Sequence, residues 1–392
     1  MRFLGVATST HLESSVQAAR EAGLRYVTDT EPGIARQGPT DNFSYRAPDK
    51  SRVAEADTLA RIKSLAVPPA WRDVWIATRA DAHLQATGRD VRGRKQYRYH
   101  PEFRASRDTN KYDRMLDFAR SLPRIRRRVS SDLRRPGMPR EKVLAAVIRL
   151  LEQTHIRVGN DEYVRANGSF GLTTFRNRHA KVNGSTVRFA FRGKSGIRHA
   201  IDIQDPAIAK LVRKCQDLPG QQLFTFTGEG GQAAPIGSED VNAYLGEVAG
   251  DTFTAKDFRT WAGTVMAAIT LREFEPFTSE AEAKRNVVQA IAAVAKRLGN
   301  TPAVCRKCYV HPAIIEAYVQ GRTIEKTGEN GIGGGLRAGR HQRAEETSVI
   351  ALLRKFSAEG SRNGRRSAPR AAHKAKKEPP TPTPADQSID AP

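Results

Sequence analysis

The sequence predicts an α+β fold: a small N-terminal domain built on a β-sheet, a larger and mainly helical domain that contains a small antiparallel sheet, and a disordered C-terminal tail. Three observations carry this. Between Leu24 and about Phe103, short runs alternate side-chain character as half-buried strands do. From about residue 106 to 322, apolar residues recur at helical spacing; in EKVLAAVIRLLEQTHI, Leu144, Val147, Ile148 and Leu151 share one face. Only 170–204 interrupts that spacing, with strand-like runs punctuated by Asn183-Gly184 and Gly193-Lys194-Ser195-Gly196.

Residues 1–23 form an extension in which SSVQAAREAGL makes a short helix that ends at Gly23. The small domain spans 24–105. In it LRYVTDT, DVWIAT and KQYRYH are strands, and RVAEADTLARIKSLAVPPAW is one helix stopped by Pro68 and Pro69. The larger domain spans 106–322, and FGLTTF, HAKV, TVRFAF and RHAIDI supply its strands. Thr254-x-x-Asp257 and Ser279-x-x-Glu282 resemble capping boxes ahead of apolar helical runs. The second run, with Val287, Ile291, Val294 and Leu298, stops at Gly299. Thr301-Pro302 opens a fresh helix expected to carry Tyr309, with Pro312 ending or kinking it. Residues 323–392 make a flexible basic tail. In it GENGIGGG is a hinge that lacks the strand context of a dinucleotide fingerprint, and Val349, Leu352, Leu353 and Phe356 suit one short docking helix. AAHKAKKEPPTPTPADQ is low in complexity and has too little apolar surface to fold.

Charge narrows the function. The chain has 65 Lys plus Arg against 42 Asp plus Glu, a net of +23. Such a surplus implies a polyanionic partner, because neutralising phosphates releases condensed counterions. Residues 89–142 alone carry a net +11, whereas 323–392 carry only +5. The basicity therefore belongs mainly to the part expected to fold, which favours a built-in surface over a sticky tail. The N-terminus has no apolar signal core, and no run approaches membrane-spanning length. Three cysteines give no disulfide framework. A cytoplasmic protein without membrane association is the expectation.

Cutting a phosphodiester without metal requires a nucleophile, donors for the equatorial oxygens and an acid for the departing alkoxide. Tyrosine suits reversible cleavage, since its phosphodiester keeps the energy needed for resealing. Arginine, always charged and forked, suits the clamp. Lysine suits the acid, because neighbouring positive charge draws its pKa toward neutrality. The helical region offers such a set: Arg157 in HIRVGNDEY at a helix end, Lys194 on the GKSG hairpin, Arg259 in KDFRTWAG near a helix start, and Tyr309 in NTPAVCRKCY. Singly, each has a plain alternative as a surface charge or a packing residue.

Their order and settings are more specific. GRKQYRYH, IRVGNDEY, GLTTFRNRHAKV, the GKSG hairpin, KDFRTWAG and GNTPAVCRKCYVHP together resemble segments of the type IB DNA topoisomerases, in particular the compact poxvirus-type and bacterial branch. The resemblance runs from about Leu24 to about Arg322. It implies a C-shaped clamp on double-stranded DNA, acting as a monomer. It implies Tyr309 as the nucleophile forming a 3′-phosphotyrosyl bond, Arg157 and Arg259 as phosphate ligands, and Lys194 as general acid. The family's fifth position falls on Asn300, where many members have histidine; asparagine donates the same hydrogen bond but carries no charge. In the small domain the resemblance implies DNA contacts by Gln96, Tyr97 and Tyr99, with Arg94 and Lys95 in the same basic and aromatic strand; Tyr163 is expected to join them. Where the family often has a basic residue just before that tyrosine, this chain has Glu162.

No cofactor and no metal is expected. Cys305-x-x-Cys308 abuts Tyr309, but a structural zinc site needs four ligands, usually two pairs, and Cys215 is the only other cysteine. The nearest alternative is a tyrosine recombinase, which shares the nucleophile. That family typically has His-x-x-Arg at the second arginine, and here Lys256 stands three residues before Arg259. A basic DNA-packaging protein would concentrate its charge in the tail and would need no tyrosine.

Overall fold

The computed structural model describes residues 15–40, 42–91, 93–250, 253–325, 344–356 and 358. Helix α1, residues 15–21, leads into a five-stranded antiparallel sheet made of β1 (Ile34–Gln37), β2 (Ser44–Arg46), β3 (Arg72–Ile76), β4 (Leu84–Arg89) and β5 (Lys95–Tyr99), in the order β2-β1-β3-β4-β5. Helix α2 (Ala56–Ser64) sets Ile62 into a core with Ile34, Val74, Ile76 and Ala86. It is shorter than the sequence suggests, ending before Ala66, which turns the chain with φ 46° ahead of the two prolines. Arg36 then ties that Pro-Pro turn to the sheet through the carbonyls of Pro68 at 3.1 Å and Pro69 at 3.2 Å.

Several strands of this sheet differ from expectation: β1, β2 and β4 are not among the strands expected from the sequence, and one expected strand is absent. LRYVTDT is not a strand; Arg25 makes one bridge to Ala82, and Val27 N–H donates to His83 Nδ1 instead of to a neighbouring strand. Conversely β4 escapes an alternation test, because five of its six residues are buried, on both faces of the sheet. The sheet's last strand, β5, is an edge.

Helix α3 (Pro101–Asp132) starts directly after β5, capped by His100, and runs across residue 105 into the helical unit. There α4 (Arg140–Thr154) is the centre. Val143 to Ile148, Leu150 and Leu151 are all buried, against α3, α7 (Ser238–Ala249) and α8 (Ala255–Arg272). The helical face seen in the sequence thus widens to nearly the whole circumference, leaving Arg149 to reach Asp205 and Ser130. Strands β6 (Ala180–Asn183), β7 (Thr186–Arg192) and β8 (Arg198–Gln204) form an antiparallel sheet in that order, and β9 (Thr225–Thr227) pairs with β10 (Ala233–Pro235). FGLTTF is instead a buried 3₁₀ turn at Leu172–Thr174. Its backbone docks on the preceding loop, with Leu172 N–H to Arg157 O at 2.9 Å and Thr173 N–H to Val158 O at 2.6 Å.

The remaining helices are α5 (Asp161–Asn167), α6 (Pro206–Gln216), α9 (Glu280–Leu298), α10 (Pro302–Cys308) and α11 (Pro312–Val319). The caps read from sequence are present: Thr254 N–H donates to Asp257 at 2.7 Å, Ser279 accepts from Glu282 N–H, and Gly299 ends α9 with φ 60°. The docking helix around Val349 is also present, as α12 over 344–356, inside the stretch expected to be tail. Val349 and Leu353 are fully buried in the main core, and Glu346 takes a forked pair from Arg126 at 2.8 and 2.7 Å. GENGIGGG and the low-complexity end fall outside the described residues. Among the described residues no helix is long and apolar enough to cross a membrane.

Candidate active site

Arg157, Lys194, Arg259 and Tyr309 line one open cleft of about 840 Å³. Asn300 joins them through Arg157, whose guanidinium donates to Asn300 Oδ1 and, at 3.3 Å, to the Gly299 carbonyl.

Arg157 does not sit on the end of a helix. Helix α4 stops at Thr154, His155 takes a left-handed conformation with φ 56°, and Arg157 occupies the loop leading to α5. That loop is fixed by the docked 3₁₀ turn described above. Arg259 rises from the early part of α8 and is 4 % exposed. Its Nη1 donates to the His155 carbonyl and its Nη2 to Leu298 O at 2.7 Å. A single side chain thereby satisfies carbonyls at the C-terminal ends of α4 and α9, which no helical N–H can reach. Arg259 Nε is buried and without an acceptor. Apart from the contact of Arg259 with the Tyr309 side chain, the donors of both arginines go to carbonyl and amide oxygens, and neither arginine forms an ion pair with a carboxylate among the described residues. Burial and the neighbouring Arg259 pull Arg157 down to about 10, so it stays charged at neutral pH. Burial also lowers Arg259, with Tyr309 working in the opposite direction.

Tyr309 is the residue that caps α10 and is not carried within it; the helix ends at Cys308, and Tyr309 N–H donates to Cys305 O at 2.9 Å. The guanidinium carbon of Arg259 lies 5.3 Å from the tyrosine ring centre. Tyr309's backbone rests on α8, where a Cβ at Gly263 would stand 2.6 Å from the Tyr309 carbonyl oxygen. Thr264 Oγ1 meets that same carbonyl at 3.3 Å, and Tyr112 Oη donates to Val310 O at 3.3 Å. Pro312 opens the next helix, α11, instead of kinking α10.

Lys194 is exposed at the tip between β7 and β8, in a turn closed by Gly193 N–H to Ile197 O at 2.7 Å and by Ser195 at φ 64°. Asn300 N–H continues the end of α9 by donating to Ala295 O, while its side-chain Nδ2 is buried near the Cys305 thiol with no oxygen acceptor. The site therefore holds three cationic groups, Arg157, Arg259 and Lys194, and two buried donors without an oxygen acceptor, Arg259 Nε and Asn300 Nδ2, beside a tyrosine. That set is complementary to an oxyanion.

Of the expected DNA contacts, Arg94 and Tyr163 line the same cleft, and Tyr163 is 55 % exposed. On β5, Tyr97 is 44 % exposed and stacks on Tyr99 with ring centres 6.0 Å apart; Lys95 lies over Tyr97 and pairs with Asp29. Gln96 is on the other face of the strand, hydrogen-bonded to Asp90 at 3.0 Å, which Arg94 also engages. Glu162 is exposed in the first turn of α5, whose cap is Asn160. Sequence reasoning missed His155, Gly263 and His199, since each acts on the site through a contact distant along the chain. Cys305 is buried and Cys308 half-buried, while Cys215 lies elsewhere in α6, pushed up to about 12 by burial. Among the described residues no group of three His, Cys, Asp or Glu side chains is placed to hold a metal.

Residues 100–330 match the family described as eukaryotic DNA topoisomerase I, catalytic core, and residues 42–90 match bacterial DNA topoisomerase IB, N-terminal domain. DNA topoisomerase 1B of Acanthamoeba polyphaga mimivirus is 30 % identical over 293 residues, covering 73 % of this chain and 87 % of that protein. DNA topoisomerase 1B of vaccinia virus (strain Copenhagen) is 20 % identical over 234 residues, 58 % of this chain and 70 % of that one. DNA topoisomerase 1 of Mycosarcoma maydis is 21 % identical over 245 residues, 57 % of this chain and 24 % of its own length. Both units of the fold are thus accounted for, and the chain belongs to the type IB DNA topoisomerases.

Proposed function

We propose that the protein relaxes supercoiled DNA by transient single-strand cleavage through a 3′-phosphotyrosyl bond at Tyr309, without metal or ATP. The reading places it at the cytoplasmic nucleoid, a monomer closed as a clamp around the duplex. The observation that carries it is the pair of arginines, Arg259 buried and Arg157 half-buried, which have no carboxylate partner among the described residues and are set against Tyr309. A scissile phosphate entering the cleft would supply the missing anion. Arg157, Arg259 and the Asn300 Nδ2 donor would hold its non-bridging oxygens.

Tyr309 Oη attacks phosphorus and gives its proton to water as the phosphotyrosyl bond forms. The bond to the 5′ oxygen breaks, and that oxygen takes a proton from Lys194. Rotation of the freed 5′ end about the intact strand relaxes supercoils of either sign. Resealing runs the same steps backward, with Lys194 accepting the proton of the attacking hydroxyl. Tyr97, Tyr99, Arg94, Lys95, Gln96 and Tyr163 would touch the duplex around the scissile site.

Plasmid relaxation in EDTA without nucleotide tests this directly; full activity is expected, and complete loss would sink the metal-independent mechanism. Tyr309→Phe removes one oxygen and little volume. It should abolish both relaxation and the covalent adduct while leaving DNA binding within a few-fold.

A further inference from the structure

His199 begins the inward turn of β8 beside the site, opposite Phe191 of β7, and its ring stacks on Phe191 with centres 5.0 Å apart and planes 19° from parallel. The ring's free edge fits between two glycines. A Cβ at Gly193 would stand 2.8 Å from His199 Cδ2 and Nε2, and a Cβ at Gly299 would stand 2.8 Å from Cε1. Each glycine immediately precedes a site residue, Lys194 in one case and Asn300 in the other. Gly299 has a second reason to be glycine in its φ of 60°. Gly193 has none: its φ of −93° and ψ of −168° are open to other residues, and what excludes a side chain there is His199.

The Leu298–Asn300 turn is also where both arginines anchor, through Leu298 O, Gly299 O and Asn300 Oδ1. Lys194, by contrast, is exposed on a hairpin tip. Within the seam between tip and turn, the imidazole lies against both Gly193 and Gly299. We infer that His199 is a positioning residue that locks the Lys194 hairpin against the Asn300 turn, so that the acid meets the leaving oxygen in register with the phosphate clamp. This rests on the acid role proposed for Lys194. Burial, then Arg157 and Arg259, lower the His199 pKa, so the ring is neutral at pH 7 and adds no charge to the clamp.

The test is single-turnover cleavage of a short duplex whose scissile bridging atom is either the natural 5′ oxygen or sulfur. A thiolate leaves without an acid, because its conjugate acid has a pKa of about 8.5, against about 16 for water. His199→Ala and Gly193→Ala, which open and wedge the same seam, should slow the oxygen substrate by about 10- to 100-fold, the scale of an ångström misplacement. Both should cleave the sulfur substrate within about threefold of the wild-type rate, as Lys194→Ala should. The double variant Lys194→Ala/His199→Ala should be no slower than Lys194→Ala alone, since the two act as one unit. Equal slowing of His199→Ala on both substrates, or multiplicative losses in the double variant, would overturn the inference while leaving Lys194 as the acid. If Lys194→Ala itself is equally slow on both substrates, the acid role falls and the inference falls with it. Should His199→Ala fail to fold by its melting curve, Gly193→Ala carries the test alone.

Discussion

Asn300 shows how much one side chain decides. Its Oδ1 accepts from Arg157, and its Nδ2 is a buried donor with no oxygen acceptor. Asn300→Ala removes both functions and should slow cleavage by about 10²-fold, the scale seen when one oxyanion donor is lost. Asn300→Asp keeps the shape and the acceptor but replaces the donor with a carboxylate. That charge would pair with Arg157 and repel phosphate, so the isosteric variant should be slower than the truncation. Single-turnover cleavage ranks them, and an Asp variant as fast as wild type would remove Asn300 from the phosphate site. Arg259 is equally particular about shape. Its fork reaches the His155 and Leu298 carbonyls at once, which a lysine cannot reproduce.

At the scale of elements, the site depends on how closely α8 and the Tyr309 turn approach. Gly263 is in the interior of a helix, where alanine would ordinarily gain about 1 kcal/mol from propensity. Here a methyl group would meet the Tyr309 carbonyl oxygen at 2.6 Å and the Tyr309 Cβ at 3.1 Å. Gly263→Ala should therefore lose the propensity gain to the clash, lower the melting temperature by a few degrees and slow cleavage at least tenfold. An unchanged melting curve with unchanged cleavage would mean that the turn yields freely. The sequence offered KDFRTWAG as a helix start carrying an arginine, but nothing local marks its glycine as the seat of residue 309. The same holds for FGLTTF, which has strand-like composition yet is a 3₁₀ turn because its N–H groups are taken by Arg157 and Val158 carbonyls.

For the whole molecule, α12 extends the folded body past residue 322. Burying Val349 and Leu353 contributes about 1.5–3 kcal/mol each, and the Arg126–Glu346 fork adds to that. Against typical stabilities of about 5–15 kcal/mol the sum matters. A chain cut after residue 358 should melt close to the full-length protein and relax plasmid at low salt. A chain cut after residue 322 should melt several degrees lower, because it exposes the apolar seat of α12 and leaves Arg126 with Glu152 alone. Equal melting temperatures for the two truncations would show that α12 contributes no stability. The distribution of charge points the same way, since the +11 of residues 89–142 stays in both truncations.

What the sequence determined by itself is local in origin: the helical stripe of α4, the caps at Thr254, Ser279 and Thr301, the stop at Gly299, the hairpin that presents Lys194, and the charge that requires a polyanion. Each is written within a few residues, because capping, turn formation and amphipathic periodicity act over one or two turns of chain. The identities and order of Arg157, Lys194, Arg259, Asn300 and Tyr309 were legible as a resemblance for the same reason, as short blocks each with its own setting. Only the tertiary structure decided that they meet. Arg157 reaches Asn300 across 143 residues, and Arg259 reaches His155 across 104. The packing of α4, α8 and α9 sets those contacts, along with the absence, among the described residues, of carboxylates paired with the arginines, and the wedge of His199 between two glycines. Such features have no local signature, because hydrophobic burial fixes which helices pack together and the polar contacts between them follow from that packing.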